Sequence, residues 1–77
     1  MFEEHDRIVL TGDIAGERLK AGDVGTIVHV YSNSGAFEVE FQTLDGDTAA
    51  IVTVSADLLR PVSNKDITHA RSLQISA

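Results

Sequence analysis

Phe37, Val39 and Phe41 alternate with Glu38, Glu40 and Gln42. This period of two sets three apolar side chains on one face of a β-strand and three polar ones on the other. Arg7 to Thr11 reads the same way, with Ile8 and Leu10 as core candidates and Arg7, Val9 and Thr11 opposite. From Val24 to Tyr31 apolar residues occupy both faces. That pattern predicts a strand that bends between two halves of a barrel, with Ile27 and Val30 as its inward pair. Thr48 to Val54, rich in Ile, Val and Thr, predicts a fourth strand, and Arg60-Pro61-Val62 a short fifth, where the proline fits only an edge.

The connections carry their own signals. Gly22-Asp23-Val24-Gly25 reads as a glycine turn that feeds the β-branched run Thr26-Ile27-Val28, with glycine supplying positive φ or close backbone approach. The long loop from Gly12 to Asp23 carries Ile14 and Leu19 as apolar pins, and loops on a rigid scaffold commonly carry function. Ser32-Asn33-Ser34-Gly35 is turn chemistry, and Asp45-Gly46 predicts a two-residue hairpin. Ser55-Ala56-Asp57-Leu58-Leu59 predicts one 3₁₀ or helical turn, capped by the Ser55 hydroxyl, with Leu58 and Leu59 covering the open end of a barrel. After Asn64 neither period persists. A frayed coil, a short helix capped by Asn64 and an added strand through Leu73 and Ile75 compete for this tail. The expected organisation is a barrel over residues 1–63 and a C-terminal tail over 64–77, flexible or bound to a partner.

A chain of 77 residues makes one domain, and at that size only about 60% of the unfolded surface is buried. With no cysteine, neither disulfides nor thiolate metal sites can reinforce so thin a core. The opening Met1-Phe2-Glu3-Glu4-His5-Asp6 is acidic where a signal peptide would be basic, and there is no 18-residue apolar run. A soluble, cytoplasmic protein without membrane association is therefore expected. The net charge of −6, from twelve acidic against six basic side chains, counts against nucleic acid, whose phosphates reward clustered Lys and Arg.

Asp6 to Leu10, Leu19 to Tyr31, Phe37-Glu38-Val39-Glu40-Phe41 and Ala56-Asp57-Leu58-Leu59-Arg60-Pro61-Val62 together resemble a family of short bacterial proteins known as domain of unknown function 4926. The glycine turn is shared with ribosomal and transcription-factor barrels of the KOW type, whereas its combination with Glu-Val-Glu-Phe and the Leu-Leu-Arg-Pro close is more specific. The resemblance spans about the first four fifths of the chain. It implies an all-β, mainly antiparallel, five-stranded SH3-like barrel with no catalytic residues to carry over. It also implies an accessory role, of which an antitoxin-like pairing with the product of a neighbouring gene is one form.

Candidate chemistry is sparse. His5, His29 and His69 lack the short spacing of metal ligands, and Asp45-Gly46-Asp47 lacks the rest of a calcium loop. No Gly-x-Ser-x-Gly supports a serine relay with His5 and Asp6, and Gly22-x-x-Gly25 lacks the Gly-Lys-Ser/Thr of a phosphate loop. No catalytic residue, cofactor or metal is expected. Arg18 and Lys20, with Tyr31 as a stacking platform, make the case for KOW-like RNA binding, but Glu17 and Asp23 flank the two cations. The expected function is non-enzymatic binding of another protein, with Glu38, Glu40, Glu17, Arg18 and Lys20 as candidate contacts. RNA binding and a homo-oligomer joined through a strand edge or the tail are the alternatives.

Overall fold

The computed structural model describes residues 2–32 and 35–73. Five strands form one sheet: β1 (Arg7–Leu10), β2 (Val24–Tyr31), β3 (Ala36–Gln42), β4 (Thr48–Ser55) and β5 (Leu59–Pro61). They lie in the order β4-β3-β2-β1-β5, and every neighbouring pair is antiparallel. Two 3₁₀ turns, Ala15–Glu17 and Ala56–Leu58, complete the regular structure. The fold is all-β, as the alternation predicts.

One apolar cluster draws on every strand: Ile8 and Leu10 from β1, Ile27 from β2, Phe37, Val39 and Phe41 from β3, Val52 and Val54 from β4, and Leu59 from β5. A flat sheet could not bring side chains from its two edge strands into a single cluster, so the sheet curls around its core as a small SH3-like barrel. Strand β2 makes the curl. Its start, Val24 to Thr26, pairs with β1, while Gly25 to Tyr31 pairs with β3. The register slips at Val28, between Ile27↔Val39 and His29↔Glu38. That extra residue lets Ile27 and Val30, three positions apart, face the same core opposite Val39 and Phe37.

Gly25 faces Phe41 across the β2–β3 pair. A Cβ there would lie 2.6 Å from Val39 Cγ1, 2.8 Å from Phe41 Cε1 and 3.0 Å from the Glu40 carbonyl. The reason for glycine at this position is close approach. Positive φ belongs to Gly22, at 96°.

Several expectations are corrected. The β3–β4 connection is a five-residue loop, Thr43 to Asp47, closed by Thr43 N–H donating to the Asp47 carbonyl at 2.8 Å, with Gly46 at φ 94°. Asp45-Gly46 lies inside it and does not form a two-residue turn. The Ser55 hydroxyl donates to the Asp57 carboxylate instead of capping a backbone N–H. Strand β5 begins at Leu59, which is buried opposite Leu10, and Pro61 sits on the sheet edge as expected. The turn residues Asn33 and Ser34, and Ile75 of the tail, lie outside the described residues.

Val9, on the face of β1 opposite Ile8 and Leu10, is 5% exposed although it is not part of the core cluster. Its neighbours across the sheet are Val24 on β2 and Arg60 on β5. The chain from Val62 to Leu73 is irregular, with one turn at Asn64 and Lys65, so the capped helix did not form. Two ion pairs tie this coil back. Arg60 holds it by a bidentate pair to Asp66, at 3.0 and 2.9 Å, and Arg71 holds it to Asp23, the residue before Val24. The tail is thus fastened on both flanks of Val9.

Candidate functional site

Alternation along β3 turns Glu38 and Glu40 away from Phe37, Val39 and Phe41, and the register then decides their company. Glu38 lies opposite His29 on β2 and Thr53 on β4, and Glu40 opposite Thr26 and Ile51. The Tyr31 hydroxyl and the Thr53 hydroxyl donate to the same Glu38 oxygen, Oε1, at 3.1 and 2.7 Å. The Thr48 hydroxyl donates to Glu40 Oε2 at 2.5 Å. Both carboxylates are half-buried and mounted on strands. His29 meets Tyr31 edge to face, with ring centroids 4.6 Å apart. Its Nδ1 lies 3.9 Å from Glu4 Oε2. Three carboxylates and two rings therefore share one outer face. Such a face offers oxygen acceptors and π-surface to a cationic side chain.

The loop residues form a second, separate group. Ile14 and Leu19 pair as a backbone bridge, through N–H to O distances of 2.8 and 3.2 Å, and pin the loop to the core with Leu19 buried. Between them Glu17 ends the 3₁₀ turn and Arg18 takes a left-handed conformation, φ 61°. Arg18, Lys20 and Arg71 line one shallow hollow together with Asp13. Arg71 was not singled out from the sequence, because only the folded tail brings it 48 positions back to Asp23. Burial works to raise the Asp23 carboxyl, but the Arg71 bond, the Lys20 N–H and both nearby positive charges outweigh it and hold the group below the ordinary 3.8.

The five candidate contacts thus divide into two places. Glu38 and Glu40 sit on the outer face of β3, while Glu17, Arg18 and Lys20 sit on the loop before β2. Among the described residues no three His, Asp or Glu side chains converge to hold a metal ion. Among the same residues no helix is long and apolar enough to cross a membrane.

The family described as Domain of unknown function (DUF4926) matches residues 4–61. That is most of the chain and all five strands, and the chain belongs to this family. No curated protein and no solved structure matches it.

Proposed function

We propose that this member of the DUF4926 family is a non-enzymatic module that binds another protein, using the outer face of β2 and β3 to capture a basic segment. The observation that carries the reading is the Glu38 carboxylate, held by two hydroxyls from the strands on either side, Tyr31 on β2 and Thr53 on β4. Oriented acceptors on a sheet lose little freedom when a ligand arrives, which favours tight recognition. Glu40 and Glu4 add charge of the same sign, and complementary charge accelerates encounter and fixes orientation. The product of a neighbouring gene, in an antitoxin-like or accessory pairing, is the partner to look for first.

The experiment is copurification of the full chain with that product, followed by Glu38→Lys with Glu40→Lys. The double variant is expected to associate more slowly at low salt while keeping its fold. Unchanged association would mean that these carboxylates are only a solvated surface, and would make the Ala15 to Lys20 loop or the tail from Asn64 to Ala77 the candidate contact.

A further inference from the structure

The two edges of the sheet are built differently. Strand β5 is three residues long and ends on Pro61, which has no N–H to offer, and the tail is tied beside it through Arg60 and Asp66. Strand β4 is eight residues long and carries neither proline nor glycine nor any charge: Thr48-Ala49-Ala50-Ile51-Val52-Thr53-Val54-Ser55. Every other strand carries a charged residue or histidine. Among the described residues β4 pairs only with β3, leaving a row of backbone donors and acceptors along its other side. Edges of this kind are normally blunted by lysine, proline or a bulge; β4 has no lysine or proline, and its bulge, at Ala49, lies at the start of the strand and leaves Ala50 to Ser55 in regular register.

We propose that β4 is the surface through which two copies of this chain associate, their Thr48–Ser55 strands pairing antiparallel across a two-fold axis near Ile51. This stands apart from the partner-binding face proposed above. The choice of a second copy rests on charge and symmetry. On a chain of net charge −6, the eight residues of β4 bring no carboxylate of their own to the seam, and Asp47 and Asp57 stand beyond its two ends. The glutamates of β3 would sit three strand spacings from their symmetry mates, about 14 Å, beyond the screening length of about 8 Å at physiological salt. A strand without charge has nothing with which to select a charged partner, but it is complementary to itself. The Thr48 and Thr53 hydroxyls are turned back onto Glu40 and Glu38, and Ile51, 53% exposed at mid-strand, gains cover from its counterpart. Joining β4 to β5 of another copy would instead build an open chain of molecules, and the short, proline-ended β5 prevents it.

Sedimentation of the full chain across a concentration series should give a dimer mass, and amide exchange along β4 should slow as concentration rises. Ile51→Lys, on an exposed side chain, should retain the melting temperature measured at high dilution and raise the dimer dissociation constant by about tenfold or more. Because the chain has no cysteine, Ile51→Cys supplies a single thiol. It should cross-link rapidly under mild oxidation, while Leu44→Cys, at a 98% exposed position on the β3–β4 loop, should not. Monomer mass at every concentration, or a dimer indifferent to Ile51→Lys, overturns the proposal. Glu38→Lys with Glu40→Lys should leave the dimer mass unchanged, so this test and that of the partner-binding face fail independently.

Discussion

Arg71 grips Asp23 through two parallel bonds, Nε to Oδ1 at 2.9 Å and Nη2 to Oδ2 at 2.6 Å, and its Nη2 also donates to the Arg18 carbonyl at 3.1 Å. One guanidinium thereby ties the tail to the turn that starts β2 and to the loop before it. The pair is only a quarter exposed or less, so it escapes much of the screening that makes open ion pairs weak. Arg71→Ala should cost about 1 kcal/mol and speed amide exchange at Val9. Thermal melting and hydrogen exchange measure the two effects, and unaltered exchange at Val9 would show that the tail does not protect that face.

The second fastening has a distinct pH signature. The Arg60 guanidinium, joined by the Ser63 N–H, holds the Asp66 carboxyl at about 2 against an ordinary 3.8. Because the folded value is the lower one, this contribution is complete above about pH 5, where the unfolded group is already ionised, and is lost progressively as pH falls from there through about 2. Carboxyl NMR titration should therefore find Asp66 with a midpoint near 2, and Arg60→Ala should return it toward 3.8. An ordinary midpoint in the parent chain would mean that the clamp is open in solution.

What could be read from the letters was local. Phe37 to Gln42 announced its two faces because a strand repeats every two residues and each residue there obeys the rule. The same rule put Val9 on the face opposite Ile8 and Leu10, but it could not foretell that Val9 is buried there as well. It also could not locate the slip at Val28, since a bulge breaks the very period used to find strands. Glu38 and Glu40 were legible as outward carboxylates, but not their hydroxyl partners, because Tyr31 and Thr53 lie on other strands and reach Glu38 through register. Arg71 looked like one more scattered cation until the fold returned it to Asp23.

Gly25 is the position where added bulk should do the most harm. A methyl group would meet two core side chains and a carbonyl at 3.0 Å or less, in the stretch where β2 pairs with both β1 and β3. Gly25→Ala should destabilise by about 1–3 kcal/mol, the usual cost of overpacking, and Gly25→Val by more. Gly16→Ala, where a Cβ meets nothing within 4 Å, is the control and should melt with the parent. Equal melting temperatures for the two alanine variants would remove close packing as the reason for glycine at this site.

Nucleic-acid binding gives a sharper test than net charge alone. The fold gathers Arg18, Lys20 and Arg71 around one hollow, more positive charge in one place than the sequence suggests. Yet Asp13 lines the same hollow, and Asp23 takes both the Arg71 guanidinium and the Lys20 N–H. Binding a phosphate backbone there would require releasing or repelling those carboxylates, against the −6 charge of the whole chain. Titration with single-stranded RNA at physiological salt should show no saturable complex, and lowering the salt should recover at most weak binding. Asp23→Asn separates the local cause from the global one. If the Asp23 carboxylate is what silences the three cations, this variant should bind RNA in low salt better than the parent, with a steeper salt dependence. A tight, salt-sensitive complex with the parent chain would instead establish the loop as a nucleic-acid surface and displace protein capture as the leading function.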